Sequence, residues 1–117
     1  ADDGLDELSL GGPSTLEFVS TVGRSRQRID AGEELGLRHS AADIRGGDVA
    51  ENVAFTRAFL DGAPGPIFDT VCANAALALM LAGRATTLRD GFELASESVR
   101  EGRAANALEL LVATSHA

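Results

Sequence analysis

The chain reads as an α+β protein with its elements segregated, a short β-hairpin region followed by four helices. Three observations predict this. Residues 15–19 alternate with period two between glycine-marked turns, the signature of a half-covered strand. From Asp48 onward the apolar spacing becomes helical. Between them, residues 31–47 are punctuated by Gly32, Gly36 and Gly46-Gly47, as loops are. One domain results, strands and loops over 1–45 and helices over 46–117.

In chain order, Leu8-Ser9-Leu10 predicts a short strand and Gly11-Gly12-Pro13 a turn. Thr15 to Val19 places Leu16 and Phe18 on one face, Gly23-Arg24-Ser25 supplies the next turn, and Arg26 to Asp30 returns as a polar strand. A single helical turn is expected near Ala41 to Ile44. Asp48 with Glu51 forms an acidic capping box, and the helix it opens should run to about Leu60 and stop at Gly62. Pro64-Gly65-Pro66 breaks the chain and puts Pro66 at the first position of the next helix. Ile67 to Ala82 is apolar nearly all round, which predicts burial on several sides. Within it, Asn74 needs hydrogen-bond partners, and Asp69 suits the positive end of the helix dipole. Thr87 with Asp90 opens a helix bearing Leu88, Phe92, Ala95 and Val99 on one face, ending at Gly102. A last helix, about Ala104 to Thr114, carries Ala107, Leu108, Leu111 and Val112 together.

Composition bounds the chemistry. The core must be built from Leu, Val and Ala, because the 117 residues include five Phe and neither Trp nor Tyr. Each small side chain buries little, at roughly 25 cal/mol per Å² of apolar surface, so a thin core is expected. All ten basic residues are Arg against eighteen Asp and Glu, a net charge of −8, which disfavours nucleic-acid backbones. A lone Cys72 in an apolar run excludes an intrachain disulfide and reads as a buried small hydrophobe. The acidic opening has no secretory or transit character, and the apolar run from Val71 to Ala82 falls short of the ~20 residues that span a bilayer. A soluble, cytoplasmic protein without membrane contact is expected. His39 and His116 lie on a polar loop and near the terminus and are read as surface residues.

The adjacent carboxylates Asp6 and Glu7 follow a glycine-led turn and precede an apolar run. Such a pair is a hard-oxygen surface of the kind Mg²⁺ uses, with waters and substrate phosphates completing the shell. Taken alone it reads as a solvated loop; its surroundings favour the metal-linked reading. Gly4-Leu5-Asp6-Glu7 is followed by Gly12-Pro13-Ser14-Thr15, Leu35-Gly36-Leu37, Gly46-Gly47-Asp48 with Glu51-Asn52, Gly65-Pro66 with Asp69, Asn74-Ala75-Ala76, Ala82-Gly83 and Gly91. This ordered set resembles the C-terminal third of the anthranilate phosphoribosyltransferase family.

The resemblance implies part of the α/β domain of a class III, nucleoside phosphorylase-like phosphoribosyltransferase. It implies Mg²⁺ held by Asp6 and Glu7 on phosphoribosyl pyrophosphate, transfer of the phosphoribosyl group to anthranilate in tryptophan biosynthesis, and a homodimer when complete. The family's Gly-Thr-Gly-Gly-Asp phosphate loop, its Lys-His-Gly-Asn-type motif, its substrate-binding arginine and its helical N-terminal domain have no counterpart here. The chain also begins without Met, on what looks like the middle of a unit. A fragment is therefore expected, inactive alone, with a missing N-terminal segment or companion chain supplying the other contacts. Gly46-Gly47-Asp48 is read as a helix cap rather than a phosphate loop, since Asp48 places negative charge where an anion would bind. The alternatives are a non-catalytic interaction module and a related phosphoribosyltransferase or phosphorylase with a different acceptor.

Overall fold

A computed structural model describes residues 1–116. Two compact units follow each other along the chain, Ala1–Arg45 and a second that begins at Gly46. No helix among the described residues is long and apolar enough to cross a membrane.

In the first unit, β1 (Ser14–Ser20) pairs antiparallel with β2 (Gly23–Ile29) in a register set by Ser14 opposite Ile29 and Ser20 opposite Gly23. The hairpin is as expected, but its turn is not. The chain reverses at Thr21-Val22 and Gly23 already belongs to β2, because the Ser20 hydroxyl accepts the Val22 N–H at 3.3 Å and closes the reversal. The face carrying Leu16 and Phe18 is not buried; Phe18 is 46% exposed. Leu8-Ser9-Leu10 is buried but is not a strand. Serine side chains take the hydrogen bonds a ladder would need: Ser9 N–H donates to Ser14 Oγ at 3.3 Å.

Residues 31–35, expected as loop, form a short helix α1 (Ala31–Leu35). Asp30 caps it by accepting the Glu33 N–H at 3.0 Å, and Gly36, at φ 73°, ends it. The turn at Ala41–Ile44 is 3₁₀, with the Asp43 carboxylate accepting from both the Ser40 N–H and its hydroxyl at 2.7 Å.

The second unit is helical: α2 (Val49–Leu60), α3 (Pro66–Leu81), α4 (Leu88–Arg100) and α5 (Arg103–Ser115). With α1 the described residues hold five helices rather than four. The Asp48 capping box opens α2, Pro66 opens α3 and Thr87 caps α4, as their spacing predicts. The expectation for α3 is corrected. Only Phe68, Cys72, Ala73 and Ala76 are buried, while Val71 is 41% exposed. Its i, i+4 stripe faces α4, whose buried residues are Leu88, Gly91, Ala95, Ser96 and Val99, while α2 touches α3 only at its edge, so apolar side chains such as Val71 and Leu81 stay exposed. Neither α2 nor α5 buries a residue.

The core of this second unit is the α3–α4 seam. Phe68, Cys72, Ala95 and Val99 form its centre, with Phe59, Leu79 and Phe92 packed around them. Phe59 and Phe68 meet tilted at 49° with centroids 5.9 Å apart, and the Arg100 guanidinium lies 5.7 Å from the Phe68 ring. Gly91 permits the approach: a Cβ there would sit 2.9 Å from the Cα, Cβ and carbonyl oxygen of Ala76.

Two outcomes follow from this packing. Gly91→Ala gains about 1 kcal/mol of helix propensity, but overpacking against backbone costs about 1–3 kcal/mol. The variant should therefore melt several degrees lower; an unchanged or raised midpoint would place the seam elsewhere. The second outcome concerns acid. The carboxyls of Asp30, Asp43 and Asp90 are held below 3.8, chiefly by hydrogen bonds from Arg38, Ser40 and Thr87 respectively. Their folded values are depressed, so their contribution is complete above the unfolded value of 3.8 and is lost as pH falls below it. Melting followed by circular dichroism should be level near neutrality and decline below pH 3.8, and Asp90→Asn should soften the decline.

Candidate functional site

The acidic pair lies on the opening loop of the first unit. Gly4, at φ 93°, turns the chain; Leu5 is half-buried, Asp6 and Glu7 are exposed, and Leu8, Ser9 and Leu10 plunge into the interior at 3%, 1% and 2% exposure. The buried run thus anchors one end of the loop and leaves the two carboxylates in solvent.

The other end is held by Asp3. Its Oδ1 accepts the Leu5 N–H at 3.2 Å and its Oδ2 accepts the Ser9 hydroxyl at 2.5 Å. These bonds, the Ser9 one foremost, hold the Asp3 carboxyl below its ordinary value. Ser9 Oγ in turn accepts the Gly11 N–H at 2.9 Å. Asp2 donates its N–H to the Pro13 carbonyl at 3.0 Å and pairs through its carboxylate with Arg28 of β2. Sequence reasoning missed Asp3, Ser9 and Ser14; the signal was present in the Asp3-Gly4 dipeptide and in two serines flanking a glycine turn.

Among the described residues, Asp6 and Glu7 make no hydrogen bond or ion pair that would occupy their oxygens, and no group of three or more His, Cys, Asp or Glu gathers as a ready metal cage. The donor set fits Mg²⁺ bound in its usual way, by one or two carboxylates with waters and phosphate oxygens filling the remaining positions. It does not fit a closed structural site, which would need a third protein ligand.

Elsewhere, residues the sequence singles out are engaged structurally. At Gly46-Gly47-Asp48, Asp48 Oδ1 accepts the Glu51 N–H at 2.9 Å and Glu51 returns a bond from the Asp48 N–H at 2.8 Å. Asn52 clasps Gly47 from both sides, accepting its N–H at 2.9 Å and donating to its carbonyl at 3.1 Å. The N–H groups of Gly47, Asp48 and Glu51 are thus taken by this unit's own side chains. Asn74 Nδ2 donates to the Thr70 carbonyl one turn back in α3 at 3.0 Å. Asp69 lies in the first turn of α3. Burial pushes the Cys72 thiol up, as for an inert core residue. His116 is exposed, and His39 is half-buried.

The sequence matches the family described as glycosyl transferase family, a/b domain, over residues 1–105. It is 44% identical over 119 residues to an anthranilate phosphoribosyltransferase from Thermomicrobium roseum, covering 98% of this chain and 34% of that protein. It is 42% identical over 116 residues to the protein of the same name from Mesorhizobium japonicum, covering 97% and 34%. The corresponding protein of Moorella thermoacetica is 42% identical over 112 residues, covering 95% and 33%. The chain spans about a third of the length of the curated relatives it matches.

Because both carboxylates are exposed and unpaired, their joint replacement should be structurally silent. The Asp6→Ala/Glu7→Ala chain is expected to keep its far-ultraviolet circular dichroism and to melt within about 0.5 kcal/mol of the parent, as surface changes do. A cooperative loss of structure would mean that the pair holds the loop together.

Proposed function

The chain belongs to the glycosyl transferase family through its a/b domain, and on that premise we propose that it is the C-terminal third of an anthranilate phosphoribosyltransferase acting in tryptophan biosynthesis. What supports this is the motif set running in family order, together with relatives of that one name aligned along nearly the whole chain. The complete enzyme is assigned the α/β architecture of the nucleoside phosphorylase-like class, a homodimeric assembly built through its helical N-terminal segment, and a cytoplasmic setting, with which the lone buried Cys72 accords.

The reaction joins the anthranilate amine to C1 of the ribosyl ring. A C–N bond forms, the C1–oxygen bond to pyrophosphate breaks, and the amine gives up a proton. No nucleophilic side chain is required. Asp6 and Glu7 are the residues of this chain that would hold Mg²⁺ beside the pyrophosphate. When bound, the ion supplies positive charge that the leaving pyrophosphate needs. The rest of the first unit keeps the pair solvent-facing, with Leu8 and Leu10 buried behind it.

The experiment is a magnesium titration of the complete enzyme, parent against Asp6→Ala/Glu7→Ala, with circular dichroism as the fold control. The variant should need considerably more Mg²⁺ for half-maximal phosphoribosyl transfer. A folded variant with an unshifted magnesium curve defeats the metal assignment. The 117-residue chain alone should show no turnover, because the phosphate loop and the acceptor contacts lie outside it.

A further inference from the structure

The loop bearing Asp6 and Glu7 is closed by side chains rather than by regular secondary structure. Asp3 spends one carboxylate oxygen on the Leu5 N–H and the other on the Ser9 hydroxyl. Ser9, only 1% exposed, passes the connection on: its oxygen accepts the Gly11 N–H at 2.9 Å, and its own N–H donates at 3.3 Å to the hydroxyl of Ser14, the first residue of β1. Gly11 leaves room for the junction, since a Cβ there would stand 3.2 Å from Asp3 Oδ2, 3.4 Å from Ser9 Oγ and 3.0 Å from the His39 carbonyl oxygen.

We propose that Asp3 and Ser9 are positioning residues whose hydrogen bond clamps residues 4–8 and so presents Asp6 and Glu7 together to a divalent cation, an inference that rests on the metal reading above. Consecutive side chains of an extended chain project to opposite faces, so two adjacent carboxylates can serve one ion only if the backbone between them is turned and held. Ordering a free loop costs conformational entropy at every residue that is fixed. A loop already closed by Asp3 and Ser9 meets that cost in folding rather than in binding, which raises affinity without adding a ligand. The clamp suits this task because its acceptor is a carboxylate, so the bond is charge-assisted, and its donor is buried, where water competes little.

The test uses the complete enzyme and Mn²⁺ as the probe, with binding read by electron paramagnetic resonance and not by turnover. Ser9→Ala leaves Asp3, Asp6 and Glu7 all present. It should weaken Mn²⁺ about tenfold or more, the range for residues standing behind metal ligands. It should also raise the Mg²⁺ needed for half-maximal rate while leaving kcat at saturating Mg²⁺ near the parent value. Ser9→Thr, which keeps the hydroxyl, should restore binding. Asp3→Asn keeps the shape but loses the charge that strengthens the bond from Ser9, and serves if Ser9→Ala does not fold; it should weaken Mn²⁺ similarly. A folded Ser9→Ala enzyme that binds Mn²⁺ like the parent overturns the proposal, and so does weakening by Asp3→Asn alone, which would make Asp3 a ligand. If Asp6→Ala/Glu7→Ala leaves Mn²⁺ binding unchanged, it is the metal reading that fails. The clamp is then judged separately by amide hydrogen exchange at Leu5 and Gly11, which Ser9→Ala should accelerate at least tenfold and whose constancy would refute it.

Discussion

The folded state of the helical unit depends on how closely α3 and α4 can approach. With no Trp or Tyr and a large share of alanine, there are few bulky side chains to bridge a wide gap between helices. Dispersion falls off steeply with separation, so small residues stabilise only if the backbones come near. The Ala76–Gly91 contact meets that condition, and the buried stripe of Phe68, Cys72, Ala95 and Val99 follows from it. The aromatic pair at Phe59 and Phe68 then closes one flank of the seam. Of the other two helices, α2 has its Asp48 cap, and both α2 and α5 meet the seam at its periphery through Phe59 and Ala104.

The first unit solves a different problem. Its hairpin is largely exposed, and a two-stranded ribbon is marginal on its own. Its order comes from polar side chains that take over backbone partners: Asp30 on α1, Asp43 on the 3₁₀ turn, and the Asp3, Ser9 and Ser14 series on the opening loop. A strongly acidic protein would be expected to waste much of its negative charge in mutual repulsion. Here several of those carboxylates instead accept N–H and O–H bonds, which is favourable wherever a backbone donor would otherwise be left over.

What could be read from the sequence is what is local. The caps at Asp48 and Thr87 and the stops at Gly62 and Gly102 each depend on a few neighbouring residues and lie where expected. The helix α1 obeys the same code, Asp30 with Glu33 and then Gly36, but five residues are too few to display a period. The reversal at Thr21-Val22 lacks the glycine or asparagine that usually marks a two-residue turn, so Gly23 drew the expectation two residues late. Burial of α3 was overestimated because an all-round apolar helix does not reveal which flank its neighbours cover. At the candidate site, Asp6 and Glu7 could be singled out as an adjacent pair. The Asp3-Gly4 dipeptide and the two serines mark the participants of the clamp but not their pairing, because the Asp3–Ser9 bond joins residues six apart through a loop without periodicity.

The burial of Cys72 has a consequence for how this protein's motions can be watched. It is the only sulfhydryl in the chain, it is 1% exposed, and its surroundings disfavour the thiolate. A disulfide reagent reaches it only as the packing around it opens, so the modification rate measures how often that happens and how far the equilibrium lies toward closure. The helical unit thus carries a built-in spectroscopic clock, placed without engineering and silent while its packing stays closed.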